Sequence, residues 1–439
     1  MNKKNNSKKT FFSMPILNAI TAVAITVTVF FSGFSAVIAE TEDIPVSEKP
    51  MGKINARSAV LMDAKSGNIL FEKEADKRLY PASCTKILSV IVVIENADLT
   101  DIVTVSNNAV MKGISHRGAH IALRPGEKIT VEDALYGALL VSANDCIIAL
   151  GEHVAGSEKA FVEMMNKKAA ELEMNDSHFA NTCGLFHKEH YSSARDLAIA
   201  MNYAIKNETF VKILGTSKHV IPKSNKCDEK RYLYNNHRMI RFHSFEYEGV
   251  VGGKKGYITE SKFNLVTYVK RGDMDLIAVV MKGSGSDKNC KDTIKMFDHY
   301  YKGYKAMALS KKNINAALGK DGTFGVLGKK AEVSWERPFK VIVPKSTTKK
   351  QLFSGIKITA TEEAGLCFPV KKHSTVGKLT AEYNGKTVGY ACLFSKEKVE
   401  SNTAIFKKVL KITIPVLMIL TVISLFFLRR RASQRNIEK

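Results

Sequence analysis

Two long uncharged stretches sit at the ends of this chain, each beside a cluster of basic residues, and they confine whatever folds to the segment between them. Thr10 to Ala39 carries no charge and follows Lys3, Lys4, Lys8 and Lys9. A basic start followed by an apolar run reads as a secretory signal, and Val37 and Ala39 are small enough to precede a cleavage site. Residues 1–39 are therefore expected to be removed, with a retained N-terminal anchor as the alternative. Ile412 to Leu428 is likewise uncharged, and Arg429, Arg430, Arg431 and Arg435 follow it. Its length is at the lower limit for crossing a bilayer. A helix lying flat on the surface would need polar residues at helical spacing, and only Thr413, Thr421 and Ser424 interrupt the run. The expectation is a transmembrane helix over 409–428 and a basic tail over 429–439 on the cytoplasmic side, although Lys407, Lys408 and Lys411 weaken the charge bias. The bulk of the protein would then lie outside, as a single-pass protein of the cell membrane.

Composition narrows the partners. With 45% hydrophobic and 25% charged residues the chain is foldable throughout, and 439 residues favour two domains over one core. The net charge is +23. Removing the two terminal clusters leaves roughly +15 on the exported part, which suits anionic lipid head groups or wall polymers rather than nucleic acid. Seven cysteines are scattered without a Cys-x-x-Cys pair, so no disulfide framework is indicated. Cys183, His187 and His190 have a spacing that could hold zinc, but no fourth ligand stands out.

Hydrophobic pattern divides the middle. Ser58 to Met62 and Ile69 to Glu72 are short apolar runs around Lys65-Ser66-Gly67-Asn68, a hairpin turn. Leu265 to Val269 and Leu276 to Met281 form a second pair around Arg271-Gly272-Asp273. From Ser83 to about Tyr203 the period is helical, as in Val131 to Leu140 behind a Thr130 cap with Glu132 and Asp133 in the first turn. Strands at both ends with helices between them describe an α+β domain over 55–309 whose sheet is closed by the chain's return. It is expected to end in a helix from Asp292 to about Leu309. Residues 310–330, rich in lysine and glycine, read as a linker. Residues 331–398 read as a small all-β domain, with strands at Phe339 to Val343 and Gly355 to Thr359 and a hairpin from Leu379 to Phe394 turning at Asn384-Gly385.

Chemistry gathers in the first domain. Pro81-Ala82-Ser83-Cys84-Thr85-Lys86 opens an apolar run that reads as a buried helix. Ser83 and Lys86, three apart, share a face of it. A helix N-terminus favours oxyanion charge nearby, and a buried lysine loses its proton near neutral pH, so the pair is a nucleophile with its own base. Ser346-Thr347-Thr348-Lys349 repeats the spacing, but it follows Pro344 in a lysine-rich turn and reads as solvated surface. Two further segments give the first match company. Ser142-Ala143-Asn144 lies between two helical patterns and can present a hydroxyl and an amide together. Lys254-Lys255-Gly256 precedes the Leu265 strand behind Gly252-Gly253, where backbone must approach something closely.

With these three segments in this order the chain resembles the penicillin-binding D-alanyl-D-alanine carboxypeptidases of low molecular mass, relatives of the serine β-lactamases. The likeness runs from about Ser58 to Leu309. It includes Leu61-Met62-Asp63-Ala64 with Gly67, Leu123-Arg124-Pro125-Gly126-Glu127, His178-Phe179-Ala180-Asn181 with Gly184-Leu185, and Ser193-Ala194-Arg195-Asp196 after His190. The resemblance implies a β-lactamase/transpeptidase-like catalytic domain, an antiparallel sheet with helices. It also implies an enzyme that removes the terminal D-Ala of peptidoglycan stem peptides through an acyl-enzyme and is acylated by β-lactam antibiotics. Ser83 would attack, Lys86 take its proton and Ser142 relay a proton to the departing amine. Asn144 would hold the substrate amide, and Lys254 its terminal carboxylate. Lys255, Gly256 and Tyr257 would line the substrate, with the N–H groups of Ser83 and Tyr257 as oxyanion hole. No metal or organic cofactor is needed. Two positions depart from the family pattern: Ala143 where glycine is frequent, and Lys255 where threonine stands. The alternatives are a cross-link endopeptidase, a non-catalytic wall-peptide-binding protein, and a β-lactamase. Glu171 to Asn175 mimics a deacylating segment of the β-lactamases but reads as the exposed end of a helix that begins near Glu158.

One measurement separates the two Ser-x-x-Lys segments. A penicillin is expected to raise the intact mass by one drug, Ser83→Ala to abolish the adduct, and Ser346→Ala to leave it unchanged.

Overall fold

A computed structural model describes residues 51–435 except 115–117, 242, 320–321 and 336–337. The signal expected over 1–39 lies outside the described residues. The catalytic part is built on a five-stranded antiparallel sheet. Its order is Ile69–Lys73, Ser58–Asp63, Met274–Gly283, Lys262–Arg271 and Val250–Ile258, so the first and last of its strands in chain order pair with each other. Ala59 pairs with Val280 and Leu61 with Ala278 across that junction. Both expected hairpins are present. Ala59 to Met62 and Leu276 to Met281, in the two paired strands, are apolar without a break because both faces are covered, and period-two geometry sorts them. Val60, Met62, Ile277 and Val279 pack into the helical core. Ala59, Leu61, Leu276, Ala278 and Val280 pack against the helix Ser286–Gly303 on the opposite face.

The helical layer follows its local signals. Thr130 caps Val131–Leu140 by accepting from the Asp133 N–H, and Ser157 caps Glu158–Glu171 by accepting from Ala160. Glu171 ends its helix and is exposed, as its sequence implies. The reading of Ser83 to Tyr203 as uniformly helical is corrected by Ile102–Thr104 and Lys128–Thr130, which pair as two short strands. Residues 218–221 and 231–234 add a hairpin, locked by Arg231 to the turn at Glu127. Glu127 has no exposed surface, and its carboxylate accepts from both terminal nitrogens of Arg231, from Ser224 and from the Arg124 N–H.

Two expectations fail beyond the sheet. The helix expected over Asp292 to Leu309 instead spans Ser286–Gly303, and Tyr304–Ala308 is a strand paired with Lys340–Pro344. That pairing crosses the expected boundary, and no local period reveals a partner some 36 residues on. The linker expected over 310–330 contains the helix Lys311–Ala317, capped by Ser310, and the strand Thr323–Val326. Ile314, Leu318 and Val326 are buried in the second core with Val333, Leu379 and Leu393. The second domain's sheet runs Thr323–Val326, Lys329–Trp335, Lys386–Ser395, Thr375–Tyr383, Ile356–Glu362. Its hairpin turns at Asn384 and Gly385, both at positive φ, as a tight turn of this kind requires. Ser346 and Lys349 are exposed there. Residues Asn402–Arg435 are helical. Among the described residues, no helix is long and apolar enough to cross a membrane, so the span expected over 409–428 lacks support from the fold.

Arg231→Met would leave the Glu127 carboxylate buried without its counter-charge, a loss of about 3–5 kcal/mol. Thermal unfolding is expected to show a clearly lowered Tm, and Glu127→Gln in the same chain to recover part of it.

Candidate active site

The strand-to-helix turn at Ala82–Thr85 is a single 3-10 turn running into the helix Lys86–Ile94. It places Lys86 Nζ 3.2 Å from Ser83 Oγ. Two other segments close around the same amine. Lys86 Nζ donates to Asn144 Oδ1 at 2.7 Å and to the Cys183 carbonyl at 3.0 Å. Lys86 has no exposed surface, and burial lowers its pKa to about 8. A neutral amine keeps its two donations to Asn144 and Cys183 and turns its lone pair to the serine hydroxyl. The geometry therefore couples a nucleophile to a base near neutral pH.

The turn that carries Ser83 is held under strain. Ala82 has φ of 48°, a left-handed conformation costly for alanine. Its carbonyl accepts from Thr85 Oγ1 at 2.8 Å, and Thr85 Oγ1 lies 2.8 Å from His190 Nε2. His190 Nδ1 accepts from the Ala180 N–H, so the ring proton sits on Nε2 and the imidazole is neutral. Burial lowers its pKa to about 3, which keeps it so. Both nitrogens are thus occupied, Nε2 by Thr85 of the nucleophile turn and Nδ1 by the Ala180 N–H, so neither is free for the metal weighed at Cys183, His187 and His190. Two glycines press on the same peptide. A Cβ on Gly184, at φ +87°, would lie 1.9 Å from the Ala82 carbonyl oxygen and 3.0 Å from Ser83 N, and a Cβ on Gly256 would also lie 3.0 Å from Ser83 N. The space beside the Ser83 N–H exists because neither residue has a side chain.

Ser142 joins the helices Val131–Leu140 and Asn144–Ala155. Its φ of 69° is again left-handed, and its hydroxyl is buried without a hydrogen-bond partner among the described residues. A strained residue with an unsatisfied buried hydroxyl on a cleft wall is arranged for something that arrives. The loop is fastened by Ala143 N–H to the Gly137 carbonyl and Asn144 N–H to the Ala119 carbonyl. Asn144 Nδ2 faces Gly118, where a Cβ would be 2.4 Å away.

Lys254, Lys255, Gly256 and Tyr257 occupy the sheet's edge strand, where alternate backbone groups have no neighbouring strand. Alternation sends the two lysines to opposite faces. Lys254 is buried, donates to the Lys255 carbonyl at 3.2 Å, and has its pKa lowered to about 7 by burial and by Lys86. Lys255 is exposed on the cleft wall, and desolvation there, with the nearby Arg238 guanidinium, pulls its pKa below the ordinary lysine value. Ser83, Ser142, Asn144, Lys255, Gly256 and Tyr257 line one cleft of about 890 Å³, with Lys86 and Lys254 buried beneath its floor. All eight residues singled out from the sequence are thus brought together, from segments up to 174 residues apart (Ser83 to Tyr257).

The Cys183 carbonyl escaped the sequence reading, because a backbone acceptor has no side-chain signature. So did its support. Asn181 Oδ1 accepts from the Gly184 and Leu185 N–H groups, and Glu158 Oε1 holds the Thr182 N–H and hydroxyl. Asn181 and Gly184 stood in the family-like segment, which was the available signal.

A serine on a strained turn with a fully buried lysine amine 3.2 Å from its hydroxyl is the arrangement of a serine hydrolase. A family model described as D-alanyl-D-alanine carboxypeptidase, Peptidase S11, matches residues 44–285, and the chain belongs to that family. It is 33% identical over 352 residues to D-alanyl-D-alanine carboxypeptidase DacF of Bacillus subtilis, covering 79% of this chain and 86% of that one. It is 30% identical to DacC of Escherichia coli, covering 79% and 85%. Penicillin binding protein 6B from Escherichia coli superposes with a TM-score of 0.59 at 25% identity, covering 80% of this chain and 98% of that one. Penicillin binding protein 5 from Haemophilus influenzae, at 24% identity and a TM-score of 0.61, shows the same fold. The protein is a serine-type D-alanyl-D-alanine carboxypeptidase.

With Lys86 as the base, the rate of Ser83 acylation by a penicillin is expected to climb about tenfold per pH unit below about 8 and to level off above it, since only the neutral amine accepts the proton. Rapid-quench labelling between pH 5.5 and 9.5 would record this, and a flat profile would argue for another base.

Proposed function

We propose that Ser83 attacks the carbonyl between the two terminal D-alanines of a peptidoglycan stem peptide while Lys86 accepts its proton. The observation that carries this is the 3.2 Å approach of a fully buried Lys86 amine to the Ser83 hydroxyl. The oxyanion settles against the Ser83 N–H, between Gly184 and Gly256, and against the N–H of Tyr257 on the edge strand. Ser142, whose hydroxyl lacks a partner among the described residues, relays the proton to the departing amine. Asn144 turns Nδ2 to the substrate amide while its oxygen stays with Lys86. Lys254 from below and Lys255 from the rim receive the terminal carboxylate, and β-lactams enter the same cleft as acylating mimics. Water then releases the acyl-enzyme, with no metal or organic cofactor.

We further propose that the chain is exported by residues 1–39 and held in the membrane by its C-terminal helix, with the catalytic domain on the extracytoplasmic side. The support is the uncharged run Ile412 to Leu428 inside the helix Asn402–Arg435 and the arginines after it. Ile412, Leu417, Met418, Ile419 and Leu420 are all more than half exposed. Apolar side chains with no protein partner at this density are stabilised by lipid.

A chain ending near Ser401 is expected to be soluble after signal removal and to release free D-alanine from a pentapeptide ending in D-Ala-D-Ala. Peptide binding without D-alanine release would favour a non-catalytic binding protein. If the shortened chain stays on membranes, washing with high salt separates electrostatic attachment of the basic domain from an N-terminal anchor.

A further inference from the structure

The hairpin Lys218–Ile221 and Arg231–Tyr234 carries a basic face that the chemistry at Ser83 does not use. Period-two geometry splits its side chains. Leu233 enters the helical core, and His219 stacks on the Tyr136 ring at 3.8 Å. Lys218, Tyr232 and Tyr234 turn the other way and are exposed, with the Lys218 ammonium 5.1 Å and 5.5 Å from the two ring centroids. The loop between the strands, 222–230, is pinned to the turn at 122–128. Arg124 donates to the Lys226 carbonyl at 2.6 Å, Asn225 donates to the Gly126 carbonyl and accepts from the Lys128 N–H, and Ser224 donates to Glu127 beside the Arg231 ion pair. The Lys226 stem lies over Gly126, where a Cβ would come within 3.7 Å of it. Pinning fixes this backbone and leaves the cations over. Arg124, Lys128, Lys223, Lys226 and Lys230 are exposed, and among the described residues none of their side chains meets a carboxylate. Other surface lysines do, as Lys212 with Glu132 and Lys112 with Glu158 show. Segments 122–128 and 218–234 hold seven basic residues against three acidic ones, and Arg231 already neutralises Glu127.

Like charges fastened side by side repel one another, and an anion laid across them relieves the repulsion. The form of the anion follows from their spread. The hairpin strands run roughly 14 Å before the loop adds its lysines. A compact anion reaches one or two of these cations, whereas a chain with a charge at every repeat reaches them all. The exposed Tyr232 and Tyr234 rings suit the uncharged carbon backbone between such charges. The face also leads to the cleft: Asn236, two residues beyond Tyr234, lines it and donates its N–H to the Leu140 carbonyl, just before Ser142. We infer that this hairpin and loop dock a linear phosphodiester polymer of the cell wall and so hold the enzyme beside its substrate. The choice of a wall polymer over an anionic bilayer rests on the proposed function, because a bilayer laid on this face would crowd the approach of a stem peptide to the cleft.

The test measures binding of poly(glycerol phosphate) to the full-length protein in neutral detergent at low salt. Replacing Lys223, Lys226 and Lys230 together by Glu is expected to weaken binding about tenfold or more, and replacing them by Gln about threefold. A control applies the same change of net charge elsewhere: Lys349, Lys350 and Lys357 of the second domain, all exposed, are replaced together by Glu. It should keep most of the binding. Labelling of Ser83 by a fluorescent penicillin at the parent rate shows that each variant is folded, and the Gln variant decides the matter if the Glu variant does not label. No binding by the parent, or equal losses in the loop variant and the control, overturns the docking surface. Phosphatidylglycerol added to the micelles is the lipid arm, and its displacing the polymer at equal phosphate concentration overturns the wall polymer in favour of a bilayer. Binding that depends on the loop in a protein that releases no D-alanine from a soluble pentapeptide upholds the surface and overturns the proposed reaction.

Discussion

An amine with no exposed surface, reached by three chain segments, is the constraint around which the catalytic domain is arranged. Lys86 donates toward the Ser83 hydroxyl, the Asn144 side chain and the Cys183 carbonyl. A buried ammonium costs several kcal/mol unless each N–H is satisfied, so the Ser142 loop and the loop through Cys183 must both be in place before it can be buried. The same burial makes the amine a base. Stability and reactivity therefore draw on one arrangement in opposite directions, and Lys254 adds a second buried amine whose charge opposes the first.

Around that amine the backbone is pre-shaped rather than adaptable. Ala82 and Ser142 are both in left-handed conformations, at φ of 48° and 69°. Each is overdetermined by its surroundings: Ala82 by the Thr85 and His190 chain and by Gly184, Ser142 by the helices on either side. Strain persists only where packing leaves no alternative. The helical core supplies that packing, because Ile87, Leu88, Val90 and Ile91 behind Ser83 are buried against Leu139, Ile147 and Leu150. A substrate thus meets donors and a hydroxyl already in position, which is how such sites lower a barrier without reorganising.

Much of the site was legible because its residues come with local context. Ser83 and Lys86 open an apolar helix, Ser142 and Asn144 sit between two helical periods, and Lys254 follows a glycine pair. The hairpins at Gly67, Gly272 and Gly385 were legible too, since a turn residue between alternating apolar runs is a signal contained in a few residues. Tyr304–Ala308 was misread because its strand identity depends on Lys340–Pro344. The stretch 310–330 was misread because lysine and glycine content describes solvent exposure, while three apolar positions, Ile314, Leu318 and Val326, set its packing.

The sequence alone determined which residues are chemically able to act, where helices and hairpins begin, and which ends of the chain lack charge, because these follow from residue type and short-range period. Tertiary structure decided what those residues do. It put a carbonyl from Cys183 on Lys86, sent Lys254 inward and Lys255 to the rim, and tied His190 to the nucleophile turn through Nε2 and to Ala180 through Nδ1. Each of these depends on groups far apart in the chain coming within a few ångströms, and on the burial that follows. A pKa, a strained dihedral and an unpaired charge are properties of that surrounding volume, and no stretch of sequence contains it.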